Sequence, residues 1–209
     1  MARYASAAWR AYQPVPEVTG RAGSRSAPGR AANSKIAGRA LSVSANNCRV
    51  FGLDPGSIRT GFGVVDCRAG VESYVACGCI NVKGADLAEK LRCIFEAVSQ
   101  LVQEHRPDEI AIERVFMHKN ADSALKLGQA RGVALCAAVA LGASAHEYAP
   151  RAIKLAVTGH GGAEKSQVAQ MVSILLSLSR RPAADAADAL AVALCHAQSR
   201  RLAMLRAMR

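Results

Sequence analysis

A chain of 209 residues can hold one ordinary domain with a full core, and a hydrophobic content of 51% excludes wholesale disorder. Its longest strongly apolar run, Val133 to Ala143, falls well short of the ~20 residues that cross a bilayer, so no membrane association is expected. The net charge of +11 is uneven: residues 1–47 carry seven Arg or Lys against the single acid Glu17, which leaves +5 to the remainder. A domain of that charge fits a polyanionic partner. The seven cysteines are an odd number without framework spacing, and Cys77-Gly-Cys79 is too tight and unaccompanied to predict a zinc site. Most of them read as small buried hydrophobes in a reducing compartment, hence a cytoplasmic protein.

Residues 1–47, rich in Ala, Ser, Gly and Arg without periodicity, read as a basic, disordered extension. A transit peptide, an inert extension and a non-specific nucleic-acid arm all suit that composition. Order is expected from Cys48. Strands are predicted at Arg49–Asp54, Gly61–Cys67 and Ser73–Val82, joined by tight turns at Asp54-Pro-Gly56 and Arg68-Ala-Gly70 into an antiparallel meander. Leu87–His105 places Leu87, Leu91, Ile94, Phe95, Val98, Leu101 and Val102 at helical spacing, and Glu109–Glu113 follows as a short buried strand. A polar loop, Val115–Asn120, leads to a long helix through Ala121–Leu141, a brief strand at Ala145–Tyr148, and helices near Pro150–Val157 and Ala163–Leu178. A last helix carries Asp185 and Asp188, and a basic, helix-compatible tail covers Ser199–Arg209. The domain proper is placed at residues 48–199, with 200–209 as the tail. Three meander strands followed by alternating helices and strands predict an α/β fold with a five-stranded mixed sheet flanked by helices on both faces.

Four acids stand out in that framework. Asp185 and Asp188, three apart, share one face of an otherwise Ala/Leu/Val helix, while Asp54 and Glu113 close predicted strands. Phosphodiester hydrolysis needs an activated water and neutralised charge on the attacking and leaving oxygens, which two divalent cations roughly 3.5–4 Å apart supply. Magnesium prefers carboxylate oxygens, so a small Asp/Glu cluster on rigid strand ends is the expected cage. Each acid also has a plainer role. Asp54 suits the Pro-Gly turn, Asp185 suits an N-cap, and Asp188 suits the first-turn dipole. Glu113 ends an Ile/Ala/Ile strand, where a charge is costly unless paired. Arg114 is the adjacent cation, although it faces the other side of the strand. Placement alone leaves both readings open.

The stretches Gly52-Leu-Asp-Pro-Gly56, Ala111-Ile-Glu-Arg-Val-Phe-Met117, Lys119-Asn-Ala-Asp-Ser-Ala-Leu-Lys-Leu-Gly-Gln-Ala-Arg-Gly132, Ala163-Glu-Lys-Ser-Gln167 and Ala184-Asp-Ala-Ala-Asp-Ala-Leu-Ala191 resemble, in order and spacing, the bacterial RuvC family of Holliday-junction resolvases. The resemblance runs from about Arg49 to Gln198. It implies a ribonuclease-H-like fold, a homodimer, and paired nicking of like strands of a four-way DNA junction during recombination and repair. It implies two Mg²⁺ per subunit, with Mn²⁺ as a substitute, and the RuvA–RuvB branch-migration complex as a partner. The catalytic and metal-binding carboxylates then fall on Asp54, Glu113, Asp185 and Asp188. Phe116 takes the place of the aromatic that stacks on a junction base, and Lys154 and Lys165 match cations near the scissile phosphate. Lys119, Lys126 and Arg131 become phosphate contacts that supply the sequence-independent part of DNA affinity. Gln129-Ala-Arg-Gly-Val133 lies on the helix expected to form the dimer interface.

Two near-matches fail. Gly159-His-Gly-Gly-Ala-Glu-Lys-Ser166 places Glu164 where a phosphate-binding P-loop needs glycine. Gly52–Gly61 resembles the first phosphate loop of sugar-kinase and actin-like ATPases, but those are duplicated and far longer, and no later Gly-rich adenosine motif follows.

Overall fold

A computed structural model describes residues 47–114 and 121–207. Expectations for the N-terminal extension before Asn47, and for Phe116 and Lys119, lie outside the described residues. The elements are β1 (Asn47–Asp54), β2 (Arg59–Arg68), β3 (Val71–Asn81), α1 (Leu87–His105), β4 (Glu109–Glu113), α2 (Ala121–Val139), β5 (Ser144–Tyr148), α3 (Pro150–Thr158), α4 (Lys165–Leu175) and α5 (Ala184–Ala207).

The sheet runs β3-β2-β1-β4-β5. β1, β2 and β3 form the antiparallel meander, while β4 and β5 join parallel to β1 through helical crossovers. The predicted five-stranded mixed sheet is therefore present, with boundaries shifted by a few residues. The long helix stops at Val139, ahead of Gly142 at φ 90°, rather than reaching Leu141. The helix expected over Ala163–Leu178 is shorter at both ends. The Gln167 side chain accepts from the Glu164 backbone N–H at 2.8 Å to open α4, and Ser177 at φ 50° follows its close.

Alternation along β1 assigns the two faces of the sheet. Phe51 and Leu53 enter one core with Phe62, Val64, Ile110 and Ile112, covered by α1 and α2. Val50 enters the other with Val65, Ala111 and the buried residues of α3, α4 and α5. Asp86 caps α1, its carboxylate accepting from the Glu89 N–H at 2.8 Å. α5 is apolar all round from Ala189 to Cys195 because it is buried all round, with the sheet beneath and α3 and α4 against its sides. It then continues without a break through the basic tail to Ala207.

The contact between α5 and the sheet is backbone on backbone. A methyl group added at Gly52 would strike the Ala189 carbonyl, and one at Gly61 the Asp185 carbonyl. One at Gly63 would come within 2.8 Å of Leu190. Gly52 and Gly63 are cross-strand partners, and Gly61 is paired with Asp54. Three missing side chains on two neighbouring strands thus form the trough in which α5 lies, with its N-terminal turn over the end of β1.

Midway along, α5 makes a polar contact with the start of β4. His196, only 3% exposed, shares a 2.5 Å hydrogen bond between Nε2 and Glu109 Oε2, and Arg200 Nε donates to Glu109 Oε1 at 3.1 Å. The bond from His196 outweighs burial and, aided by Arg200, holds the Glu109 carboxyl down to about 2. The charged form is favoured by folding, so this contribution is present at neutral pH and is lost as pH falls from 4.5 towards 2. Glu109→Gln should lower stability at pH 7 by about 1.5–3 kcal/mol, measured by urea denaturation, and the gap from the parent should close in acid.

Candidate active site

Asp54 is the last residue of β1 and Glu113 the last of β4. The parallel register pairs Leu53 with Ile112, so the two acids lie one step beyond that pair at the same edge. Both belong to the face that α5 covers, Asp54 in phase with Val50 and Gly52, and Glu113 with Ala111. The glycine trough supplies the other two. With Asp185 backbone over Gly61, itself opposite Asp54, the first turn of α5 delivers Asp185 and Asp188 to the strand ends. Asp185 lies inside that turn and is not the residue before it, as an N-cap would be.

The electrostatics show that these groups share one space. Burial, followed by the negative charges of Asp188 and Glu113, pushes the Asp54 carboxyl up to about 7; Asp185 adds to the rise and Lys165 opposes it. Glu113 is raised by burial and by Asp188, with Lys165 and Lys154 opposing. Lys165 and Lys154 therefore stand beside the acids. Lys165 Nζ donates to Asp188 Oδ2 at 2.8 Å, and this bond holds the ammonium above its ordinary range.

Arg59, which the sequence reading passed over, approaches Asp185 Oδ2 with its Nε at 2.9 Å. The geometry is not that of a hydrogen bond, and Asp185 Oδ2 is a buried oxygen with no hydrogen-bond donor among the described residues. Arg59 is recognisable only once the antiparallel register is known, since that register sets Gly61, two residues on, against Asp54.

A hard divalent cation fits this donor set. The ligands on offer are carboxylate oxygens, one is buried and ion-paired to Arg59 without a hydrogen bond, and another belongs to a group whose ionisation its neighbours oppose. The side chains are not drawn into one coordination sphere, however. Lys165 and Arg59 hold Asp188 and Asp185 individually. Among the described residues, the group with ligand atoms all within 4.8 Å of one another is Glu109, His146 and His196, which shares no member with the four acids.

The remaining predicted contacts sit apart from the acids or are already engaged. Lys126 pairs with Asp122 one helical turn earlier at 2.7 Å on exposed α2. Arg131 lies 2.9 Å from Glu147, and its Nε donates to the Glu113 carbonyl at 3.2 Å. Its charge ties α2 to β4 and β5, behind the acid that closes β4. Arg114 is directed to Glu147 at 3.7 Å, not to Glu113.

The profile of the family described as "Crossover junction endodeoxyribonuclease RuvC" matches residues 50–196. The chain belongs to the RuvC family of endodeoxyribonucleases. The protein of that name from Methylococcus capsulatus is 56% identical over 152 residues, 73% of this chain and 92% of the relative. That from Hahella chejuensis is 55% identical over 148 residues, covering 71% and 86%. Among solved structures, Thermus thermophilus RuvC in complex with Holliday junction substrate superposes with a TM-score of 0.70 at 33% identity, over 75% of this chain and 96% of that one. The sheet is the ribonuclease-H-like sheet expected from the family, and a divalent metal is implied by membership.

Proposed function

We propose that this chain is a Holliday-junction resolvase that nicks two strands of like polarity symmetrically, leaving 5′-phosphate and 3′-hydroxyl ends. The supporting observation is the gathering of Asp54, Glu113, Asp185 and Asp188 at one sheet edge, where burial and mutual charge raise Asp54 and Glu113. The relatives' names and the Thermus protein's junction complex point to the same substrate. Asp54, Glu113, Asp185 and Asp188 would hold two Mg²⁺, with Mn²⁺ as a substitute. When bound, the pair supplies activation of water and neutralisation of charge on the attacking and leaving oxygens.

The chain's own side chains then have distinct tasks. Asp54 and Glu113 sit on strand ends whose backbone is fixed by the ladder, so they set the position of the cage. Lys165 neutralises Asp188 in the absence of cation. Once that carboxylate is used elsewhere, Lys165, with 81% of its side chain exposed, is free to approach a phosphate, and Lys154 lies on the neighbouring flank. Lys119 and Lys126 are assigned to more distant phosphates; Arg131 serves chiefly to hold Glu113 in place. Phe116 is assigned to a base at the crossover. The active unit is a homodimer formed through α2, working in the cytoplasm with the RuvA–RuvB complex.

The deciding experiment is incubation of the purified chain with a synthetic four-way junction and Mg²⁺, mapping both nicks. Symmetric cuts absent from linear duplex support the assignment, and indiscriminate cutting of both rejects it. Stacking a base on an aromatic face contributes roughly 1–3 kcal/mol. Phe116→Ala should therefore slow cleavage of an intact junction roughly 5- to 150-fold, and that of a junction already unpaired at its centre much less. Equal losses on the two substrates would remove Phe116 from strand opening.

A further inference from the structure

A second group of metal-binding side chains lies at the opposite end of β4 from the acids. Glu109 and Glu113 are the first and last residues of that strand, four positions apart and so separated by about 13 Å. Glu109 on β4, His146 on β5 and His196 on α5 each present a ligand atom, and the three lie within 4.8 Å of one another. The rings of His146 and His196 are 4.5 Å apart between centroids. Two imidazoles and one carboxylate form a donor set that suits zinc and its neighbours, whereas magnesium prefers oxygen alone.

Each of the three is also held by a further partner of the sort that orients metal ligands. Arg200 Nε donates to Glu109 Oε1 at 3.1 Å, leaving Oε2 on the His196 side. The Tyr148 hydroxyl is 2.7 Å from His196 Nδ1, and the Ser144 hydroxyl is 3.2 Å from His146 Nε2. Such partners fix ring orientation and tautomer, and removing one weakens metal binding by about 10–100-fold. We propose that Glu109, His146 and His196 form a structural site for Zn²⁺ or a similar imidazole-binding divalent ion, joining β4, edge strand β5 and α5.

Ion binding needs no redox partner. The hydrogen that His196 Nε2 shares with Glu109 gives way to the cation, and neutral imidazole carries its proton on Nδ1 instead, donating to the Tyr148 oxygen. Half-exposed His146 gives the ion a route in, and three protein ligands leave a fourth position for water. The Arg200 charge opposes the cation, so affinity falls below that of the same ligands without it. The ion would pin the edge strand whose last residue, Tyr148, accepts from the backbone N–H of Arg114 at 2.7 Å, next to Glu113.

The test is thermal unfolding of the full chain with and without Zn²⁺, with Mg²⁺ in excess to occupy the carboxylate site. Zn²⁺ at about 100 times Kd should raise Tm on the order of 5–10 °C. The rise should be lost in His146→Ala, persist in Asp54→Asn, and persist in a Cys48→Ala/Cys67→Ala variant that removes the cross-strand thiol pair beside Glu109. Co²⁺, read by its visible absorption, should follow the same order. Tyr148→Phe provides a second variant, with Zn²⁺ affinity reduced about 10–100-fold. No rise in the parent chain, or an equal rise in His146→Ala, would overturn the site.

Discussion

Asp54→Asn should reduce junction cleavage by a thousandfold or more, a loss of about 4 kcal/mol in barrier terms, while making the metal-free protein more stable at alkaline pH. The two effects share one cause. Asp54 is driven up to about 7 by burial and by the charges of Asp188 and Glu113, so the folded state holds its proton far more tightly than the unfolded chain does, at 3.8. For a carboxyl with a raised folded pKa, the stabilisation is complete below 3.8 and disappears as pH climbs through 7. A rise of about three units sets an upper limit of about 4 kcal/mol on the cost of ionising Asp54 in the fold. Asparagine removes that cost. Metal-free Asp54→Asn should melt several degrees above the parent at pH 8.5, and the advantage should vanish near pH 4. Mg²⁺ should reverse the order at pH 8.5, because only the parent gains the full carboxylate set. Paired melting curves at both pH values, with and without Mg²⁺, alongside junction cleavage, check each part. A variant that retains nicking, or one destabilised in the metal-free state at pH 8.5, would contradict the role given to Asp54.

The sheet and the four acids were legible because each has a local signal. The apolar run within Arg49–Asp54 reflects a strand buried on both faces, the Pro-Gly pair after Asp54 marks its turn, and the 3.6-residue spacing in Leu87–His105 reflects a helix with one buried face. Asp185 and Asp188 stand out against Ala, Val and Leu, since a charge among buried residues needs a reason. What brings the acids together was less visible. Gly52, Gly61 and Gly63 look like weak strand residues until the β1–β2 register aligns them under α5. Arg59 carried no signal in the sequence, and Arg131 read as a phosphate contact. Tertiary placement gives one to Asp185 and the other to Glu147 and the Glu113 carbonyl. Glu109, His146 and His196 come from three elements up to 87 residues apart, and no spacing rule could have joined them. The end of α4 was missed because apolar residues continue through Leu178 while the backbone has already turned at Ser177.

The glycine trough makes the second large prediction, Gly61→Ala. The added methyl meets the carbonyl of Asp185, an atom of helix backbone that no rotamer change can move aside. Either the first turn of α5 lifts from the sheet or β2 bends away from it. Ordinary overpacking costs about 1–3 kcal/mol when side chains can adjust, and backbone against backbone belongs above that range. The loss should exceed about 3 kcal/mol in urea unfolding, and the displaced turn carries Asp185 and Asp188 with it. Cleavage should therefore collapse even at temperatures where the variant remains folded, and its Mg²⁺ requirement should rise. The comparison that isolates this cause is Gly128→Ala. Gly128 lies within α2 with nothing inside 4 Å of the added carbon, so alanine should stabilise the helix by about 1 kcal/mol through its better propensity. Opposite signs for the same chemical change would show that close approach, rather than loss of glycine flexibility, governs position 61. Two destabilisations of similar size would mean that α5 does not rest on β2 as described.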